Sequence, residues 1–311
     1  MDPRLAVFHP VRPPPGLWQA PAGYRYHTGM NILSIQSWVS YGHVGNASAV
    51  FPLQRLGADV WAVNTVQFSN HTGYGAWTGD VYSGAQVARI IEGIEARGAF
   101  PRCDAVLSGY MGDHSIGEAI LGAAQRVKAA NPNALYCCDP VIGDDDTGDY
   151  VRPGIADFMR DHAIPAADII TPNRYEVERL LGTEVRTVAA AKAAIATLQA
   201  KGPRTVLVTS LRTEATPDNA MDMMVGEGGE YWLLRTPLED VQVNGAGDAI
   251  SALFLFHRIA TGSAAEALSN AGSSIHGLLR RTAEAKSREI LTVAAQEEFV
   301  NPTMRYTATK L

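Results

Sequence analysis

The chain has 311 residues, enough for one large α/β domain or two small ones, and length alone does not choose. Its net charge of −6 argues against a general nucleic-acid binder, which would be basic, but leaves room for a small anionic ligand held by local donors. Three cysteines, Cys103, Cys137 and Cys138, are too few for a disulfide framework and show no zinc spacing; buried thiols in a reducing compartment, the cytoplasm, are expected.

No stretch is apolar for ~18 residues, so no membrane span or membrane partner is expected. Residues 1–29 are rich in Pro and aromatic side chains, lack periodicity, and have neither the basic start nor the apolar core of a secretory signal. They are expected to be a disordered leader, or residues ahead of a true start at Met30. Residues 30–311 are expected to form a single domain.

From Met30 onward the chain alternates between two periods. Apolar, β-branched runs predict strands at 31–36, 58–67, 103–109, 134–141, 168–171 and 205–210. Between them, Val87, Ile90, Ile91 and Ile94 mark one face of a helix, and 116–130 and 187–200 are Ala-rich segments of helical length. The runs 220–225 and 230–234 flank a Gly-containing loop and predict a β-hairpin. Two helices follow, about 248–260 and 264–279. Such alternation predicts a three-layer α/β fold, a mostly parallel central sheet with helices on both faces. In such sheets ligands collect at the carboxyl ends of the strands.

Asn244, Gly245, Ala246, Gly247 and Asp248 run directly into an apolar helical segment. Two glycines permit a tight turn, and the helix start offers unpaired N–H groups to a transferring phosphoryl group. Asp248 at its mouth is placed to accept the proton of an attacking hydroxyl, although Asp is also a favoured helix cap. The chain contains no P-loop and no Rossmann fingerprint. Asp139 and Glu176 also follow strands. Two such carboxylates suit a hydrated Mg²⁺, while an acidic residue in a first helical turn has a simpler reading as a dipole partner.

With these motifs stand longer ones: Ser34, Ile35, Gln36 and Ser37; Gly42, His43, Val44, Gly45 and Asn46; the run 64–74; Leu107, Ser108, Gly109 and Tyr110; Cys138, Asp139, Pro140 and Val141; and Thr171, Pro172 and Asn173 before Glu176. Together they resemble the ribokinase-like small-molecule kinases and, within them, the pyridoxal kinases, from about residue 30 to the end. The run 66–74 is the most specific piece.

The resemblance implies ATP-dependent phosphorylation of the 5′-hydroxymethyl group of pyridoxal, with pyridoxine and pyridoxamine as further candidates, in vitamin B6 salvage. It implies Asp248 as base with Gly245, Ala246 and Gly247 around the phosphoryl group. Ser37 would touch the pyridine nitrogen or a ring substituent, Thr72 and Gly73 would lie against the ring, and Tyr110 would stack on the ring or the adenine unless it is structural. His43, Gln67 and His71 sit near these strand ends, with a structural role as the default reading.

ATP would be contacted by Asp139, Thr171, Glu176 and Asp144, the last on an acidic flap that also carries Tyr150. Thr209 and the segment Arg235, Thr236, Pro237 and Leu238 would complete the nucleotide site, in the region where the match is weakest. Mg²⁺ would sit near Asp139 and Glu176, and a monovalent cation requirement stays open. A homodimer is implied by the resemblance alone. A hydroxymethylpyrimidine kinase and a non-catalytic pyridoxal phosphate carrier are the alternatives.

Overall fold

The computed structural model describes residues 29–311, so the expected leader lies outside the described residues as far as residue 28. The strands are β1 (Asn31–Tyr41), β2 (Asp59–Asn70), β3 (Gly79–Val81), β4 (Ala105–Ser108), β5 (Leu135–Cys138), β6 (Gly143–Asp144), β7 (Gly148–Asp149), β8 (Ile169–Ile170), β9 (Thr205–Leu211), β10 (Ala220–Glu227), β11 (Glu230–Pro237) and β12 (Thr309–Lys310). Ten of them form one sheet in the order β12-β11-β10-β9-β8-β5-β4-β1-β2-β3, and β6 and β7 pair separately. The run β2-β1-β4-β5-β8-β9 is parallel throughout. Antiparallel pairs flank it on both sides, including the expected hairpin β10–β11.

Alternation along the central strands builds the layers. Leu33, Val106, Tyr136, Cys138, Ile170, Val206 and Val208 face one hydrophobic cluster; Ile32, Leu107, Cys137, Ile169 and Leu207 face another. Helices α2 (Gly84–Glu95) and α3 (His114–Ala130) pack into the first cluster through Val87, Ile91, Ile116 and Ile120. So do α4 (Arg174–Leu181) and α5 (Val188–Gln199), through Val177 and Ile195. Helices α1 (Asn46–Arg55), α6 (Ala246–Thr261) and α7 (Ala264–Glu284) pack into the second, through Leu53, Leu253 and Leu268. The three-layer arrangement expected from the sequence is present. The cysteines are all buried and free, with burial raising each thiol above its ordinary range.

Several short elements escaped the periodicity, among them β3, β6, β7 and β12, and so did two helices. Helix α1 carries an internal Pro52 and no capping side chain, so its start gives no signal. Helix α4 is short and is fixed by a capping box between Asn173 and Glu176. Strand β1 also runs past its expected end. Beyond Ile35 it leaves β4 and continues on β2 alone, with a register slip between Gln36 and Trp38 that puts Ser37 at the irregularity.

The helix after β1 lies on one face of the sheet and the helix after β4 on the other. The crossovers diverge between these neighbours, which opens a crevice at their carboxyl ends. Ser37 and Tyr110 stand there.

Candidate active site

The glycine loop enters α6 through Gly245, whose φ of 87° suits a residue without Cβ. A Cβ at that position would also collide with the carbonyl oxygen of His43. The Ser48 hydroxyl donates to the Gly245 carbonyl at 2.7 Å, which fixes the loop against α1. No side chain caps α6, so its first-turn N–H groups keep the donor capacity and positive dipole that an anion needs. Asp248 lies in that turn, partly buried. Burial pushes its carboxyl up to about 6, and the backbone N–H groups of Gly45 and of Asp248 itself hold it from rising further.

Asp139 is 5 % exposed and accepts from the Thr171 hydroxyl at 3.3 Å. Thr171 Oγ1 lies 2.8 Å from Ser251 Oγ, which donates to the Gly247 carbonyl at 2.9 Å. These contacts tie the strand-end carboxylate to the glycine loop. Burial, then the charges of Glu176 and Asp248, raise the Asp139 carboxyl well above the carboxylate range. Glu176 is buried too. Its oxygens accept the N–H groups of Ile142 at 2.8 Å and Asn173 at 2.9 Å, yet burial still pushes it up to about 8.

The acidic segment forms the small hairpin β6–β7. Asp144 shapes its turn: one carboxylate oxygen accepts from the Asp146 and Thr147 N–H groups and the Thr147 hydroxyl. Helix α4 holds this flap through Arg174 to Asp145 at 2.6 Å, and through Tyr175 and Arg179 to Asp149 at 2.8 and 2.9 Å. The Tyr150 side chain is exposed overall, but burial of its hydroxyl and the charges of Glu176, Asp139, Asp248 and Asp144 raise its phenol far above its ordinary range.

Around the crevice, Ser37 is buried against Gly45. Thr72 and Gly73 sit in an exposed helical turn, Thr72–Tyr74, closed by His71 Nδ1 accepting from the Gly73 N–H at 3.2 Å. Gly73 faces the Asn244 amide at the start of the glycine loop. The Tyr110 carbonyl accepts from Thr65, and burial raises its phenol.

The structure therefore brings Asp139, Asp144, Thr171, Glu176, Gly245, Ala246, Gly247 and Asp248 into one electrostatically linked group. It places Ser37, Thr72, Gly73 and Tyr110 around the adjoining mouth. Thr209 joins the same strand ends, its N–H donating to the Pro172 carbonyl at 2.9 Å. Arg235, Thr236, Pro237 and Leu238 lie on and just beyond β11, two strands past β9. There the Arg235 guanidinium is committed to the buried Asp222, by two bonds of 2.7 Å, and to the Ala215 carbonyl at 3.0 Å.

Ser48, Ser251 and Glu289 were not singled out from the sequence. Ser251 sits one helical turn after Gly247, a spacing that was readable. Ser48 and Glu289 carry no local signal, because their partners lie about two hundred residues away.

Comparison with known proteins matches residues 78–292 to the phosphomethylpyrimidine kinase family. The chain is 63 % identical over 277 residues to pyridoxal kinase PdxY of Granulibacter bethesdensis, covering 88 % of this chain and 97 % of that protein. It is 55 % identical to pyridoxal kinase PdxY of Rubrobacter xylanophilus, over 89 % of this chain and 96 % of that one. Among solved structures it is similar to pyridoxal kinase of Leishmania donovani in complex with ADP and pyridoxamine, with a TM-score of 0.84 and 28 % identity over 90 % of this chain and 99 % of that one.

Proposed function

The chain belongs to the pyridoxal kinases, and from that premise we propose how its own residues carry out the reaction. The enzyme transfers the terminal phosphoryl group of ATP to the 5′-hydroxymethyl group of a vitamin B6 vitamer. The observation that carries the residue assignment is the position of Asp248: a carboxyl tuned to about 6, at the uncapped start of α6, between the carboxylate group and the vitamer-side mouth. At neutral pH it is ionised and basic enough to take a proton.

Asp248 takes the proton of the hydroxymethyl group as its oxygen attacks phosphorus. The N–H groups of Gly245, Ala246 and Gly247 receive the charge on the equatorial oxygens. Ser37, Thr72, Gly73 and Tyr110 orient the pyridine ring. Thr209 and the 236–238 segment border the nucleotide, and Arg235 holds the hairpin beneath it.

Asp139 and Glu176 suit Mg²⁺. They are buried hard-oxygen donors whose charges disfavour each other, and the Thr171 hydroxyl donates to Asp139. Because backbone N–H groups already occupy both Glu176 oxygens, its remaining lone pairs fit the water shell of the ion. When bound, the ion neutralises phosphate charge. The flap, with Tyr150, keeps water from the phosphoryl group. The same proposal includes a homodimer and a cytoplasmic location; light scattering in solution tests the former.

A substrate panel with ATP and Mg²⁺ tests the reading. Pyridoxal, pyridoxine and pyridoxamine should turn over, with kcat/KM above that of hydroxymethylpyrimidine. Preference for hydroxymethylpyrimidine would overturn it and favour the other activity named in the matched family.

A further inference from the structure

Glu289 lies in the 287–290 loop after α7, remote in sequence from every residue assigned above. Its carboxylate nonetheless joins two walls of the vitamer side. One oxygen accepts the Tyr74 hydroxyl, and the other accepts the His43 N–H at 3.2 Å. These partners are 215 and 246 residues away in the chain, so a single side chain sets the distance between two independent segments.

The surroundings are built to hold it. Ser287 Oγ accepts from the Glu289 N–H at 3.2 Å and donates to the Glu289 carbonyl at 2.7 Å. A Cβ on Gly42 would collide with the carboxylate, so the close approach needs glycine there. The Arg288 guanidinium carbon stands 5.2 Å from the centroid of the Tyr74 ring, and Tyr41 meets that ring edge-on at 6.0 Å.

We propose that Glu289 is a positioning residue, which fixes the 71–74 turn and the 42–45 loop relative to each other and so sets the vitamer against the glycine loop. The proposal rests on the vitamer-side assignment above. Asn70 already shapes the turn from within, donating to the carbonyls of His71 at 3.0 Å and Ala76 at 2.9 Å. Glu289 therefore fixes where the turn sits, not how it folds. The His43 carbonyl abuts Gly245, so the same clasp reaches the phosphoryl-transfer loop.

Steady-state kinetics on wild type, Glu289→Gln, Glu289→Ala, Tyr74→Phe and the double variant Tyr74→Phe/Glu289→Ala test this. Loss of the charged acceptor in Glu289→Ala should raise the pyridoxal KM roughly tenfold. The KM for ATP should stay within about twofold. Glu289→Gln keeps a carbonyl acceptor for Tyr74 and should fall between wild type and Glu289→Ala. The double variant should be no worse than Glu289→Ala, because the Tyr74 bond is already lost.

The inference is overturned by an unchanged pyridoxal KM in Glu289→Ala, by additive losses in the double variant, or by ATP and pyridoxal KM values that rise together. If Glu289→Ala does not fold, Tyr74→Phe decides alone, since it removes one hydroxyl: a raised pyridoxal KM supports the clasp and an unchanged one sinks it. A wild-type enzyme with no pyridoxal turnover would sink the underlying reading and this inference with it. Normal wild-type turnover with an unaltered Glu289→Ala sinks the inference alone.

Discussion

The hydroxyl of Ser48 donates to the carbonyl of Gly245 across 2.7 Å, joining the first turns of α1 and α6, 197 residues apart. Removing it in Ser48→Ala leaves a loop carbonyl to find water and should cost about 1 kcal/mol of stability. Gly245→Ala should be worse, because it adds a positive-φ penalty of roughly 1–3 kcal/mol to the collision with His43. Thermal unfolding and kcat, measured on both variants, should rank Gly245→Ala below Ser48→Ala in each.

Asp248→Asn should lower kcat by about 10²–10⁴-fold. ATP affinity by calorimetry should be retained, since the role proposed for Asp248 is at the acceptor and not at the nucleotide. The base works only when deprotonated. Its carboxyl is raised to about 6, so kcat/KM in wild type should fall as pH drops through that value, and Asp248→Asn should lose this limb of the profile.

The buried pair Asp139 and Glu176 gives a pH signature for the cation. Both are raised above the ordinary value of about 4, so folding takes up protons. Their contribution to stability is present below that value and is lost as pH rises, through about 8 for Glu176. In the proposed site Mg²⁺ would need the deprotonated pair. The rise in Tm on adding Mg²⁺ should therefore grow between about pH 5 and pH 8 and vanish in Asp139→Asn.

Arg235→Ala should act on stability before nucleotide binding. It strips the fully buried Asp222 of its cation while leaving Thr216, which donates at 2.7 Å. A loss of roughly 2–3 kcal/mol is expected from an uncompensated buried carboxylate. Denaturant titration should show most of it restored in Arg235→Ala/Asp222→Asn, with KM for ATP little changed in the restored variant.

The layered sheet was legible because central strands such as β4 and β5 are short continuous apolar runs, and α3 and α5 have full-length apolar faces. The glycine loop was legible because its glycines, Asp248 and the helix they open are contiguous. Helix α1 was not, since Pro52 and an uncapped start suppress the local signals. The role of Arg235 was also hidden, because its commitment to Asp222 is a cross-strand contact that sequence position does not reveal. Glu289 had no signal at all; its meaning arises only once Tyr74 and His43 are brought to it.

The interleaving of these segments also has a consequence in time. Ser37 and Asp139 leave the ribosome well before Gly245, Asp248 and Glu289, and each parallel strand pair needs a closed crossover before its contacts repay the loop entropy. A nascent chain can thus assemble β1, β2, β4 and β5 while still lacking the base and the clasp. Turnover needs Asp248 on α6 set against residues from the first half of the chain, so recovered turnover during refolding reports the joining of both halves and not the formation of either alone.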